Sequence, residues 1–453
     1  MNGLQPEIIR STLSPRTVIL IILLLMKFFC WQKHFYQIQK VNENFMWIIV
    51  RVLIGIVVLV LLEYYFTRKI NRVFKTLFPE FPVKNKRLII YLFLILLNLY
   101  PALLIFNALY AAITKQSVSF PQNIFADYLL LYPFWVLIIL ILQVSALFFF
   151  IDLLKLIFYP LYKKHKEKLY RIQVKIFLAL TVFFIVYIPA RIIYDYYNVD
   201  VRTTEYKKKD LPDALSGFKI AFISDIQADR YTDESRLLNY VNKINKEKPD
   251  LVLIAGDVIT SSPDYIETAA KFIGKIKTNY GVYSCVGDHD NWAYRQDYVR
   301  SLKEVEGALT KYHVEMIDNG MKYINIDSTR IGITFITNTY VSDISETTLE
   351  NLSASNKAEF QIFLTHQPRE FLINSAVKNN YDLFLAGHTH GGQITLLFPF
   401  VQLTPTLVET NYIKGDYYFG KMLAVVCGGL GMSLAPVRYN STPEIVIITL
   451  KSI

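Results

Sequence analysis

Tyr381-Asp382-Leu383-Phe384-Leu385-Ala386-Gly387-His388-Thr389-His390-Gly391-Gly392-Gln393 joins a short apolar run to two imidazoles one residue apart. A buried strand that stops at a glycine and then presents neutral nitrogen donors reads as a metal-ligand segment, and the flanking glycines let the backbone approach an ion closely. Taken alone, His-x-His on a loop also arises by chance. Four other segments repeat the design. Lys219 to Ser224 leads into Asp225-Ile226-Gln227, and Leu251 to Ala255 into Gly256-Asp257. Val282 to Val286 leads into Gly287-Asp288-His289-Asp290, and Phe360 to Leu364 into Thr365-His366. Loops at the strand ends of an α/β sheet converge on a shared crevice, so all five segments are expected on one face of one sheet, around one pair of ions.

In this order and with these spacings the segments resemble the calcineurin-like metallophosphoesterases, whose pattern is D-x-H, G-D, G-N-H-[DE], H and G-H-x-H. The resemblance covers roughly Asp210 to Ile453. The closing segment Gly429 to Ser433, Val437-Arg438 and Pro443-Glu444-Ile445 is similar to the membrane-associated bacterial branch, which includes enzymes acting on UDP-2,3-diacylglucosamine. It implies an α/β domain built as a two-sheet β-sandwich flanked by helices. It also implies two divalent ions, which when about 3.5–4 Å apart supply a nucleophile at neutral pH and positive charge around a phosphoryl group. Carried over position by position, Asp257 is the implied bridging carboxylate. Asp225, Gln227 and His390 complete the first site, and Asp288, His366 and His388 the second. His289 is the implied catalytic histidine, and Asp290 a supporting partner.

Two positions depart from the family pattern. Gln227 stands where D-x-H has histidine. A carbonyl oxygen is a harder donor than imidazole, which favours Mn²⁺ or Mg²⁺ over Zn²⁺ at the first site; of the ions considered for the centre, Mn²⁺, Mg²⁺, Fe and Zn²⁺, manganese is the expected one. Asp225-Ile226-Gln227 is also similar to the manganese-dependent ADP-ribose and CDP-alcohol diphosphatases. Asp288 stands where Asn is usual, and it lowers the formal charge of a hydroxide-bearing two-metal centre from one positive to neutral. The expected function is hydrolysis of a phosphodiester, pyrophosphate or phosphomonoester bond, with a lipid-linked or nucleotide-lipid substrate. The alternative is a catalytically degenerate membrane module that binds metal or a phosphorylated ligand without turnover.

The other half of the chain is of a different kind. The 453 residues are 53% apolar with a mean hydropathy of +0.29, too apolar for an ordinary soluble protein, and the excess lies in the first half. Phe45 to Phe66, Leu88 to Ala112, Tyr128 to Phe150 and Ile176 to Ile193 each approach the ~20 residues that cross a bilayer. Thr17 to Trp31 is a shorter candidate. Residues 1–209 are thus expected to form a membrane domain with four or five transmembrane helices, and residues 210–453 the metallophosphoesterase domain. The net charge of +10 does not point to nucleic acid, because basic residues crowd the loops between apolar runs, from Arg68 to Arg87 and from Lys163 to Lys175. Lys115 alone lies in the intervening loop. By the positive-inside rule the basic loops are cytoplasmic, which leaves a multi-pass protein of the bacterial cell membrane with an extracytoplasmic catalytic domain. Arg191, Arg202 and Lys207 to Lys209 pull the other way. The outward placement also counts against UDP-2,3-diacylglucosamine, a cytoplasmic precursor.

Cys30, Cys285 and Cys427 are buried small hydrophobes rather than a disulfide framework. Lys27, Arg51 and Glu63 lie singly in apolar runs, which gives transport little support. Thr232 or Asp233 caps a helix with the apolar face Leu237, Leu238, Val241 and Ile244. Arg438 is either a phosphate clamp or one half of a surface ion pair. Leu396 to Val401 is either core packing or a lip that touches lipid.

Overall fold

The computed structural model describes residues 44–114 and 123–453. The expected run Thr17 to Trp31, Cys30 and Lys115 lie outside them. The chain divides into two compact units, Met1–Ile185 and Val186–Ile453.

Among the described residues three helices are long and apolar enough to cross a membrane: Val83–Ala111, Ile124–Ile157 and Lys166–Tyr197, the last running from the first unit into the second. The expected run Phe45 to Phe66 falls in the helix Asn44–Leu77. Glu63, expected to lie singly, has a neutral partner, and charged pairs form at other residues of these helices. Glu63 accepts from the Asn98 amide at 2.9 Å, and Asp152 lies 2.6 Å from both Lys69 and Lys155. Pairing between helices is how ionisable groups persist among apolar surfaces.

The second unit is a sandwich of two six-stranded sheets. The first has the order β1 (Asp200–Lys208), β12 (Glu444–Ser452), β2 (Lys219–Ile223), β3 (Leu251–Ile254), β4 (Val282–Cys285) and β5 (Val314–Ile317). The second runs β10 (Gly415–Phe419), β11 (Met422–Val426), β9 (Leu383–Ala386), β8 (Phe360–Thr365), β7 (Thr329–Ile336) and β6 (Gly320–Ile326). Strands β2 to β5 are parallel, as are β7, β8, β9 and β11.

Side chains alternate across a strand. Ile220, Phe222, Leu251 and Leu253 of the first sheet therefore meet Phe360, Ile362, Leu364, Leu383 and Leu385 of the second in one core. The intervening Ala221, Ile223, Val252 and Ile254 pack against Leu237, Val241, Phe272 and Leu309 of the outer helices. Phe363 and Phe384 do the same beneath Leu349, Leu372 and Ile373 on the other side. Burial on both faces is why these strands read as unbroken apolar runs. Asp233 caps the helix Glu234–Glu247 by accepting the Arg236 N–H.

The division between units falls earlier than the expected one between residues 209 and 210. Strand β1, polar by composition, runs parallel to β12 from Asp200↔Glu444 to Lys208↔Ser452 and so belongs to the sandwich.

Candidate metal centre

Each candidate ligand segment begins where a parallel strand ends. Asp225 and Gln227 follow β2, Asp257 follows β3 and Asp288 follows β4, all in the first sheet; His366 follows β8 and His388 and His390 follow β9, in the second. The expectation of one sheet is thus corrected. The crevice lies across the ends of both sheets, whose long-range pairing local sequence does not encode.

The backbone at these ends is unusual. Asp225, Gln227, Asp257, His388 and His390 all have φ between 50° and 69°. Left-handed backbone is costly for residues with a Cβ and persists where surrounding structure enforces it, commonly at functional sites. Close approach enforces it here: a Cβ on Gly287 would lie 2.3 Å from the Asp257 backbone nitrogen, and one on Gly387 2.8 Å from Asp225 Oδ2.

Among the described residues two groups of side chains bring donor atoms within 4.8 Å of one another: Asp225, Asp257 and His366, and Asp288, His366 and His388. His366 Nε2 lies 3.4 Å from Asp257 Oδ2 and 3.2 Å from Asp288 Oδ2, and His388 Nδ1 lies 2.9 Å from Asp288 Oδ2. His390 Nε2 is 3.6 Å from Asp225 Oδ1. Gln227 donates Nε2 to Asp257 Oδ2 at 2.7 Å, while its buried Oε1 has no hydrogen-bond partner. An orphaned buried carbonyl oxygen is costly unless something else satisfies it, and a cation would. The donor set, oxygens and imidazole nitrogens with an unsatisfied amide oxygen among them, fits divalent ions of the harder kind.

The imidazoles are oriented for this. His366 donates Nδ1–H to the Ala255 carbonyl at 2.6 Å, which leaves Nε2 for the crevice. His388 turns Nε2 outward to Glu409, 2.9 Å away, which leaves Nδ1 inward. A carboxylate behind a histidine fixes its tautomer and raises its basicity. Burial acts to lower both histidines, but the facing carboxylates win: Asp257 and Asp288 hold His366 well above its ordinary value, and Asp288 and Glu409 hold His388 at about 9. Burial, assisted by Arg438, pushes His390 down to about 3 against the pull of Asp225. Burial, with Asp225 and Asp288 nearby, lifts Asp257 to about 7. So many carboxylates in a buried crevice repel one another, and positive charge relieves them.

Asp288 has surroundings that match it. Its carboxylate accepts from the Tyr340 N–H at 2.6 Å and from Gln367 Nε2 at 3.0 and 2.9 Å. Gln367 Oε1 in turn accepts from Arg369 Nε and Asn338 Nδ2, so its amide is held with nitrogen toward Asp288. An asparagine at 288 would place its own NH₂ among these donors. The acidic residue is therefore built into its shell.

His289 belongs to neither ligand group. Its Nδ1–H donates to the Thr260 carbonyl, its ring lies edge-on to Trp292, and Nε2 sits 3.0 Å from Ser433 Oγ. Burial lowers its pKa. Asp290 accepts the backbone N–H groups of Gly287, Asp257 and Val258, so it ties two ligand loops together.

Both sequence readings of Arg438 are corrected. It is 1% exposed and donates to the carbonyls of Gly431, His390, Gly428 and Ser441. It staples the closing loop beneath His390 and cannot grip a substrate. The sequence reading missed Glu409, Tyr340, Gln367 and Ser433. Gln367 and Arg369 sit just after His366 and were open to discovery there. Glu409 and Tyr340 occupy loops with no periodic signal.

Comparison with known proteins agrees with this architecture. The profile of the calcineurin-like phosphoesterase family matches residues 218–392. The chain is 33% identical over 258 residues to the Bacillus subtilis protein named uncharacterized metallophosphoesterase YkuE, covering 56% of this chain and 86% of that one. It is 28% identical over 308 residues to uncharacterized metallophosphoesterase Cj0846 of Campylobacter jejuni, covering 66% and 76%. It is also 27% identical over 262 residues to a transmembrane protein with metallophosphoesterase domain of Danio rerio, covering 54% and 56%. A two-sheet sandwich with carboxylates and histidines gathered at its strand ends, in a chain this similar to proteins so named over most of the Bacillus protein's length, belongs to the calcineurin-like metallophosphoesterase family.

Proposed function

We propose that the protein is a membrane-anchored, metal-dependent hydrolase of phosphodiester, pyrophosphate or phosphomonoester bonds. Asp225, Gln227, Asp257 and His390 would hold one divalent ion, and Asp257, Asp288, His366 and His388 the other, with manganese favoured. Bound there, the ions supply an activated water and positive charge for the phosphoryl oxygens. His289 faces the crevice with Nε2 and stabilises the transferring group or protonates the leaving oxygen, while the Thr260 carbonyl holds its ring. The observation that carries the reading is the orphaned Gln227 Oε1 beside buried Asp257. Chelated full-length protein is expected to lose hydrolysis of bis-p-nitrophenyl phosphate, and Mn²⁺ or Mg²⁺ to restore it better than Zn²⁺. Full turnover after exhaustive chelation would end the proposal.

The basic loops further support placing this unit outside the cytoplasm of a bacterial cell. A periplasmic-type phosphatase reporter joined after Ile453 is expected to be active and a cytoplasm-dependent fluorescent reporter dark; the reverse pattern contradicts the orientation.

A further inference from the structure

The loop that follows the double-histidine turn exposes apolar side chains. The backbone N–H of Leu396 donates to the Leu403 carbonyl at 2.9 Å and closes a short hairpin-like loop. At its tip Phe400 is 106% exposed, with Val401 and Leu397 partly so beside it, and Leu434 on the neighbouring loop is 97% exposed. Core packing is thereby ruled out for this tip. Phe400 and Leu434 also have φ of 64° and 63°. Two bulky apolar residues held in left-handed backbone and pointed outward gain nothing in water, so their strain and exposure ask for an apolar partner.

The partner is indicated by what holds the loop. Asn440 donates Nδ2 to the Thr395 carbonyl at 3.0 Å and accepts from Tyr187 Oη at 2.8 Å. Tyr187 lies inside the candidate span Lys166–Tyr197, four residues before Arg191, which begins its polar end. Arg191 is itself fixed to Thr442 at 2.8 Å. A tyrosine one helical turn before the charged end of a candidate span has the position at which tyrosines are enriched, the membrane–water interface. The loop root is therefore tied to that level. The same loop also reaches the chemistry: Gln393 bonds the backbone of Ser433, whose hydroxyl meets His289 Nε2.

We propose that Leu397, Phe400, Val401 and Leu434 form a lip in the interfacial layer of the bilayer this chain spans, and that the metal centre takes a phosphoester whose apolar part stays in that bilayer. The substrate half of this inference rests on the phosphoesterase reading; the lip itself does not.

The test uses the full chain in phosphatidylcholine vesicles. Phe400→Cys, Leu434→Cys and Lys357→Cys proteins carry an environment-sensitive fluorophore, with the label on the unsubstituted chain subtracted; Cys285 and Cys427 are buried. Lys357 is exposed and precedes β8, at the end of the sheet away from the crevice. Spin-labelled phosphatidylcholine is expected to quench positions 400 and 434 several-fold more than 357. Equal quenching overturns the lip. In parallel, Phe400→Asp is expected to slow hydrolysis of a vesicle-embedded diacylglycerol p-nitrophenyl phosphodiester about tenfold, as loss of interfacial apolar contact predicts, and to leave water-soluble bis-p-nitrophenyl phosphate unaffected. An equal change in both substrates, or in neither, overturns the substrate class. If the unsubstituted protein hydrolyses neither, the phosphoesterase reading fails while the quenching result still decides the lip.

Discussion

Asp257→Asn is expected to strip both ions from the crevice and to reduce turnover about 10³-fold or more, since a bridging charge supports several kcal/mol of transition-state stabilisation and each ~1.4 kcal/mol is tenfold. The substitution is nearly isosteric, and its surroundings accommodate it. Oδ1 would still accept the His289 N–H, now at 2.7 Å. The new NH₂ would face Gln227, whose amide can turn because its Oε1 has no partner to lose. Loss of activity should therefore not come from misfolding. In the metal-free fold burial lifts the Asp257 carboxyl to about 7, above its ordinary value. A group raised in this way stabilises the fold fully at low pH, and that contribution is lost as pH rises through the folded value. Above it, an ionised Asp257 is a burden that asparagine lacks. The metal-free variant should then melt at or above the metal-free parent near pH 8, while metal added to the parent alone raises the melting temperature. A variant that keeps about two ions per chain with normal turnover would remove Asp257 from the bridge.

His289→Ala is expected to separate metal binding from chemistry. The ring touches Trp292, the Thr260 carbonyl and Ser433 but belongs to neither ligand group. Its removal should leave metal content unchanged and slow turnover about 10²–10⁴-fold, the range of a lost general acid or base. Burial favours the neutral ring. A phosphoryl anion at Nε2 would restore the positive form when it is needed. Unchanged turnover in His289→Ala would assign the proton transfer elsewhere.

How much of this was legible follows from what local sequence encodes. Strands β2, β3, β4, β8 and β9 are almost wholly buried, so they read as apolar runs, and the residues that follow them are the proposed ligands. That coincidence made Asp225, Asp257, Asp288, His366 and His388 visible. The split of these residues between two sheets was not visible, because the register of β2 beside β12, or β9 beside β11, joins segments far apart in the chain. Strand β1 was missed since its alternating Arg, Thr, Glu and Lys resemble a linker until β12 pairs with it. Glu409 behind His388, and the amide of Gln367 beneath Asp288, act through contacts 21 and 79 residues away. Arg438 shows the converse error: an arginine near a phosphate site suggested an anion clamp, yet its donors are spent on backbone carbonyls.

Asp288 bears most directly on whether the centre turns over. A site that had lost its chemistry would be free to relax around the extra carboxylate, whereas Tyr340 and Gln367 donate to it and Asn338 and Arg369 fix Gln367 in turn. The measurement that decides is metal content and bis-p-nitrophenyl phosphate hydrolysis on one preparation of the unsubstituted full-length protein, loaded in turn with Mn²⁺, Mg²⁺, Co²⁺ and Zn²⁺. A two-metal hydrolase predicts about two ions per chain and turnover that rises with the second ion. A chain that binds its ions yet stays inert with every metal, and gains activity only as Asp288→Asn, would contradict it.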